Sequence, residues 1–374
     1  MKVALLSDCY LPRLGGIEVQ THDLAQHLRR AGHEVEVFTA TRGAGGEMHG
    51  AVTEVDGVPV HRMAARLPWE LPVNPFAPAE LRRRLVAGGF DAAHVQTGVV
   101  SPFAWDAARV TLGIGLPTAM TWHCMLAGVA PAFRAAGFVR RWAARGVAMS
   151  AVSDVAAAPL RRLVGPDRSV GVLPNGIDVQ RWAVAPVTRE PGPLRLVTAM
   201  RLAPRKRPTA LVELVADAAR AAGAGSVSLT ILGEGPDRRK VEGLVHRLGL
   251  DWVSLPGRVS RDELRERYAA ADVYLSPARL ESFGIAALEA RTVGLPVIGR
   301  SGSGMGEFVT DGVNGLVVSS DSQMAAAIAR LASSPEEVAR MRTWNLTHPP
   351  VQDWPHVAAL AVAEYERAAD LVRR

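Results

Sequence analysis

Two doubly wound α/β domains in tandem is the architecture this sequence predicts, and three observations carry it. Short apolar runs of the kind buried in parallel sheets alternate with segments of helical period along most of the chain. An aperiodic stretch holding three prolines, Ala183–Pro193, interrupts the alternation, which then starts afresh. A length of 374 residues is long for one core and comfortable for two.

In the first half, the apolar run Val3–Ser7 leads through a turn-rich loop to Gly15-Gly16, a helix Ile17–Ala31 ended by Gly32, and a strand Glu34–Thr39. Val52–Val55 and Val58–Arg62 read as two strands joined by the Asp56-Gly57 turn. Then come helix Glu80–Ala87, strand Ala92–Val95, helix Ser101–Thr111 and strand Pro117–Thr121, which reaches Trp122-His123. A helix Arg134–Arg145, a strand Val147–Val152, a helix capped by Ser153 and running to about Val164, and a strand Val170–Leu173 close the set.

The second half repeats the scheme. Strand Leu194–Met200 is followed by the basic loop Arg201–Arg207, helix Pro208–Ala222, strand Val227–Leu232, the Gly233-Glu234-Gly235 turn and helix Pro236–Leu248. Strand Trp252–Leu255, helix Arg261–Ala270, strand Asp272–Leu275, a helix Ile285–Val293 and strands Pro296–Gly299 and Gly315–Val318 follow. The tail carries Trp354 and an amphipathic helix Val357–Leu371. The expected division is a first domain of 1–182, a linker of 183–193, a second domain of 194–347 and a tail of 348–374.

Composition narrows the functional classes. Hydrophobic residues make up 48% and charged residues 21%, which is globular rather than disordered. The net charge of +6 comes almost wholly from arginine, because Lys2, Lys206 and Lys240 are the only lysines. Such a balance reflects either GC-rich codons or an anionic partner, a phosphate-bearing ligand or a membrane surface. The arginine pairs and triplets lack interleaved aromatics, so nucleic-acid binding is not expected. Cys9 and Cys124 form no CxxC, and no secretory pattern opens the sequence, which predicts a reduced cytoplasmic protein. Val110–Phe133 lacks charged residues over a span-like length, but Pro117, Pro131, His123 and its glycines would break a spanning helix, so no transmembrane segment is predicted.

In open α/β sheets ligands sit beyond the carboxyl ends of the strands, and the unusual residues of this chain lie at such ends. The most informative is Arg279–Pro296, a loop turning into a helix. It carries Glu281, then Ser282-Phe283-Gly284, then Glu289. The free N–H groups at that helix start suit an anion, and the two flanking carboxylates suit paired hydroxyls. Arg201 and Lys206 leave the first strand of the second half and can neutralise a diphosphate. Gly15 and Gly16 allow close backbone approach to a phosphate, although a plain turn explains them as well. His123 ends a first-half strand, where a satisfied core histidine is the competing reading, and Asn175 and Asp178 end another, as turn formers or as functional residues. No Asp-x-Asp pair and no His/Cys/Asp cluster with metal spacing occurs, so no metal is expected.

The order of these pieces resembles the retaining glycosyltransferases of family 4, of the GT-B fold, including phosphatidylinositol-mannosyltransferase-like and related actinobacterial members. The resembling parts are G-G-I-E-V-Q-T-H-D-L-A, A-G-H-E-V-E-V-F-T, V-S-D and L-P-N-G-I-D, then R-L-A-P-R-K, I-L-G-E-G-P, A-D-V-Y-L-S-P, E-S-F-G-I-A-A-L-E-A, G-L-P-V-I and D-G-V-N-G-L-V-V. The resemblance implies two Rossmann-like domains facing a central cleft, an N-terminal acceptor domain and a C-terminal donor domain, with the tail crossing back to the first. It implies that Glu289 binds the ribose hydroxyls. Glu281 would hold hydroxyls of the donor sugar, with the backbone amides of Phe283 and Gly284. Arg201 and Lys206 would grip the diphosphate with Gly16, the backbone at Arg258-Val259 would meet the base, and His123 would hydrogen-bond the donor sugar.

The implied reaction moves a sugar from a nucleoside diphosphate sugar, GDP-mannose or a UDP-sugar, to an acceptor hydroxyl with retained configuration. The nucleotide sugar is a co-substrate and no cofactor is implied. The acceptor is either a lipid-linked alcohol, which would bring peripheral contact with the inner face of the membrane, or a soluble small molecule. Two other classes fit the same architecture: a GT-B-type sugar-nucleotide epimerase and a non-catalytic sugar-nucleotide-binding module. Arg279 stands where small residues are common among relatives, so the resemblance does not name the donor sugar.

Overall fold

Eight strands form the first sheet: β1 (Lys2–Ser7), β2 (Glu34–Thr39), β3 (Val52–Val55), β4 (Val58–Arg62), β5 (Ala92–Thr97), β6 (Thr118–Trp122), β7 (Ala148–Ala151) and β8 (Val170–Val172). Their order is β3-β4-β2-β1-β5-β6-β7-β8. All neighbours run parallel except the β3–β4 hairpin. That hairpin turns at Asp56 (φ 48°) and Gly57 (φ 78°), the two positive angles that a tight turn matched to strand twist demands. The computed structural model describes residues 1–65, 74, 76–126, 128–185 and 192–373, so most of the expected linker 183–193 lies outside the described residues.

The chain divides into two compact units, Met1–Gly176 with Gln352–Arg374, and Ile177–Val351. By this division the short helix Val179–Trp182 lies in the second unit. Trp182 packs against Tyr268 there, ring centroids 6.1 Å apart, and Arg265 donates to the carbonyl of Arg181.

In the first unit the C-terminal helix Trp354–Arg373 lies against the sheet, and its buried residues Trp354, Val357, Ala361, Tyr365 and Ala368 share a core with Ala119 and Ala148. His94, Ala119 and Ala148 stand side by side in register across β5, β6 and β7. Two alanines in that row leave room for a helix backbone, and Tyr365 Oη and His94 Nδ1 share a hydrogen bond at 2.9 Å. The charge-free run holds the end of helix Pro102–Gly113, strand β6 and the start of helix Ala130–Ala136. One expectation fails here. Arg134–Arg145 is not a single helix but parts of two, Ala130–Ala136 and Phe138–Ala144, separated by Gly137 at φ 66°, which a right-handed helix cannot absorb.

The second unit holds β9 (Leu194–Ala199), β10 (Val227–Leu232), β11 (Val253–Gly257), β12 (Val273–Ser276), β13 (Val297–Arg300) and β14 (Gly315–Val318). They run parallel in the order β11-β10-β9-β12-β13-β14. The chain starts in the middle, builds outward on one side, then returns to build on the other. The point of return lies between β9 and β12, the place where doubly wound sheets open a ligand crevice beyond their carboxyl ends. Two helices absent from the sequence reading, Asp321–Ala332 and Pro335–Thr347, follow β14.

Candidate functional site

The loop leaving β9 is fixed by backbone bonds to the neighbouring turn. Leu202, fully buried, donates its N–H to Glu234 O and accepts from Asp237 N–H, both at 2.9 Å. With Leu202 clamped, Arg201 beside it projects as an exposed side chain. A 3-10 turn, Pro204–Lys206, then carries Lys206 back toward β12.

The loop leaving β12 is fixed from the far side by the loop after β13. Gly304 donates to Glu281 O at 2.8 Å, and a Cβ on Gly304 would come within 2.0 Å of Ser282 O, so only glycine permits this approach. Phe283 is buried against Phe308, ring centroids 5.4 Å apart. Gly284, at φ 97°, caps the helix Ile285–Thr292 in the left-handed conformation expected of glycine at so sharp an entry. The first amides of that helix have no intrahelical acceptor.

These two loops meet. Lys206 Nζ donates to Glu281 Oε2 at 2.5 Å. Sequence separation had placed the two residues 75 positions apart; the point of return in the sheet brings them together. Glu289 is 8% exposed on the helix behind them, in the electrostatic reach of Tyr268 and Tyr274. Tyr274 Oη ties β12 to β9 by donating to Ala199 O at 3.2 Å. Arg258 and Val259 follow β11, two strands from β9; Arg258 is exposed and Val259 half-buried. The second unit therefore brings Lys206 against Glu281, with Ser282, Phe283 and Gly284 on the same loop as Glu281 and both Glu281 and Glu289 within electrostatic reach of Tyr274, while Arg201 shares the loop of Lys206 and Arg258 and Val259 follow β11.

Gly15, Gly16 and His123 belong to the first unit. Gly15 is extended (φ −168°), so its angle does not require glycine; a Cβ there would stand 2.4 Å from Glu18 Oε2, and the carboxylate would have to move aside. Glu18 is buried there and pairs with Arg13 at 3.3 Å. His123 Nε2 lies 2.5 Å from Gln96 Oε1, and Asn175 also hydrogen-bonds its ring. Burial pushes His123 down to about 4, which keeps it neutral at physiological pH. Asp8, just beyond β1, accepts from the N–H groups of Phe103 and Ala104 at 3.0 and 3.2 Å, and burial pushes its carboxyl up to about 6. Gln96 and Asp8 were not singled out from sequence, although both sit at strand ends, which was the available signal.

A family model described as Glycosyltransferase Family 4 matches residues 14–181, and one described as Glycosyl transferases group 1 matches residues 182–344. The chain belongs to glycosyltransferase family 4. A GDP-mannose-dependent alpha-mannosyltransferase of Mycobacterium tuberculosis is 25% identical to it, over 98% of this chain and 96% of that one. A D-inositol 3-phosphate glycosyltransferase of Pseudarthrobacter chlorophenolicus is 29% identical over 95% of this chain and 91% of that one. Among solved structures, Anabaena Alr3699/HepE in complex with UDP matches with a TM-score of 0.76 at 18% identity, over 98% of this chain and 100% of that one. The fold of this family 4 chain is GT-B, each unit a Rossmann-like sheet.

The geometry of the second unit in this family 4 member limits what it can hold. A cation on each of two turns of one loop, a helix N-terminus and two carboxylates suit an anion with hydroxyl-bearing groups on both sides. Among the described residues no group of three His, Cys, Asp or Glu is placed to hold a metal, and no helix is long and apolar enough to cross a membrane.

Proposed function

We propose that this chain transfers a sugar from a nucleoside diphosphate sugar to an acceptor hydroxyl with retained anomeric configuration and without a metal ion. The observation that carries the reading is the Lys206–Glu281 contact at the return point between β9 and β12, beside the N-terminus of helix Ile285–Thr292. In this reading Arg201 and Lys206 hold the diphosphate, with the amides of Phe283 and Gly284. Glu281 accepts from hydroxyls of the sugar and Glu289 from those of the ribose, while the backbone at Arg258-Val259 meets the base. The relatives named for GDP-mannose and for inositol 3-phosphate support the substrate class, a nucleotide sugar and a cyclitol or lipid-linked alcohol.

The step requires little covalent help from side chains. The bond from the anomeric carbon to the phosphate oxygen breaks, and a bond to the acceptor oxygen forms on the same face. The acceptor proton passes to the departing phosphate. Negative charge grows on the diphosphate as it leaves, so fixed cations and amides stabilise the transition state more than the bound donor. Neutral His123 can exchange a hydrogen bond with a sugar hydroxyl without adding charge.

A thermal-shift panel of UDP, GDP and ADP with their hexose conjugates tests this, because a ligand bound only by the folded chain raises its melting temperature. One base should stand out, and the matching nucleotide sugar should be consumed only when an acceptor alcohol is added. No response to any nucleoside diphosphate would refute the reading, and conversion of donor without acceptor would replace it with an epimerase.

A further inference from the structure

Arg279 is the residue that the donor reading leaves without a task, and it does not stand alone. Its Nη2 lies 3.8 Å from Oδ2 of Asp321, the first residue of helix Asp321–Ala332. Arg207 grips the same carboxylate with both terminal nitrogens, at 2.8 and 2.6 Å, and also donates to Pro277 O at 3.2 Å. Arg300, at the end of β13, approaches Asp321 Oδ1 at 3.4 Å. Guanidinium groups from the loops after β9 and β12 and from the end of β13 thus converge on one carboxylate, with Glu213 acting on Arg207 as a second, electrostatic neighbour.

A structural clamp would need Arg207 and Asp321 alone. Two features exceed that need. Arg300 is 7% exposed, yet its Nη1 has no hydrogen-bond partner among the described residues, a costly state for a buried donor. The Arg279 side chain is 66% exposed, and among the described residues only the long contact to Asp321 holds it. Arg207 adds a third sign: its φ of 59° is one of two positive values among described non-glycine residues, a conformation that glycine would adopt without strain. The chain retains a guanidinium where the backbone favours glycine.

The cluster is next to the donor crevice. Lys206 and Arg207 are consecutive, the first reaching Glu281 and the second Asp321, and Arg279 precedes Glu281 by two residues. We propose that Arg207, Arg279 and Arg300 form an oxyanion subsite beside the diphosphate grip, with Asp321 holding the forks in place until a carboxylate or phosphate group arrives. Planar guanidinium forks match either group with paired hydrogen bonds. The oxyanion is either a substituent of the transferred sugar or a free anion. This rests on the donor reading above.

The test uses the full chain saturated with whichever nucleoside diphosphate raises its melting temperature most. Inorganic phosphate is then titrated by calorimetry, and in a second arm the nucleotide conjugate of a uronic acid is compared with that of the neutral hexose. Arg279→Ala, at an exposed position, should leave nucleoside diphosphate binding unchanged and weaken the preferred anion roughly tenfold, the loss of a charge-assisted hydrogen bond. Asp321→Asn should tighten that anion by removing its competitor. A uronate preference abolished by Arg279→Ala identifies the sugar substituent; a phosphate response abolished by it identifies a free anion. If the diphosphate binds and Lys206→Ala removes that binding, while both probes are indifferent to Arg279→Ala, the subsite is overturned and the donor reading stands. A chain that binds no nucleoside diphosphate overturns both.

Discussion

Lys206 and Glu281 meet through a 2.5 Å hydrogen bond that joins the loop after β9 to the loop after β12. The pair holds a cation against a carboxylate, and a donor bound as proposed above would compete for both. Its side chains are 35% and 14% exposed, a setting in which an ion pair adds only about 0–1 kcal/mol to stability. A weak pair can be rearranged by a ligand at little cost.

The first prediction separates stability from activity. Lys206→Ala should change unfolding free energy by no more than about 1 kcal/mol but lower kcat/KM roughly 10²- to 10³-fold, as removal of a charge-stabilising donor does. Arg201→Ala, exposed and without a side-chain partner among the described residues, should melt like the parent and bind nucleoside diphosphate roughly tenfold more weakly. Urea melts and calorimetry read the two effects independently. Equal nucleotide affinity in both variants would remove these residues from the diphosphate grip.

Glu289 gives a second prediction with an internal control. If its carboxylate accepts from the ribose, the parent chain should bind the preferred nucleoside diphosphate more tightly than the 2′-deoxy analogue, by roughly tenfold or more for a hydrogen bond to a charged group. Glu289→Ala should bind the two alike. A discrimination that survives the substitution would assign the ribose elsewhere.

The tail supplies the third. Tyr365 Oη contacts His94 Nδ1 at 2.9 Å, while Thr121 Oγ1 takes the other ring nitrogen at 2.7 Å. Tyr365→Phe leaves a buried ring nitrogen unpaired and should cost about 1–3 kcal/mol. Trp354, stacked on His27 with centroids 5.1 Å apart and pressed against Gly176, should cost about 3–5 kcal/mol as Trp354→Ala. Denaturant titration measures both, and a tail that only grazed the first unit would give neither.

Much of this was legible because parallel strands read as apolar runs whatever their neighbours. Glu34–Thr39, Val58–Arg62, Val227–Leu232 and Gly315–Val318 fall at the expected residues. Glu281 and Glu289 were readable as a pair on one loop and helix. The Lys206–Glu281 bond was not, because strand order, which brings β12 beside β9, is a non-local choice that no local pattern encodes. Gln96 was invisible for a similar reason: its meaning comes from His123 on the adjacent strand. The helix Asp321–Ala332 shows its buried Met324, Ile328 and Leu331 at helical spacing, and was readable. Arg134–Arg145 misled because its helical residues continue across Gly137, whose left-handed turn follows from packing.

The fourth prediction concerns pH and the first unit. His94 and His123 are pushed by burial from 6.5 to about 3 and about 4, so the folded chain keeps them neutral while the unfolded chain protonates them. Their contribution is therefore lost as pH falls from about 6.5 toward 4. Asp8 acts in the opposite sense: burial raises it from 3.8 to about 6, so the folded chain retains a proton that the unfolded chain has released, and its contribution is lost as pH rises through 6. Between pH 4 and 6 two protons favour unfolding on acidification and one opposes it. These three groups then leave stability rising by about 1.4 kcal/mol per pH unit over that window. Asp8→Asn removes the opposing proton and should steepen the slope to about twice that value, and His123→Gln should flatten it. Urea melts at pH 4.5, 5.5 and 6.5 measure the slopes, and an Asp8→Asn slope equal to the parent's would show that Asp8 is already ionised in the folded chain.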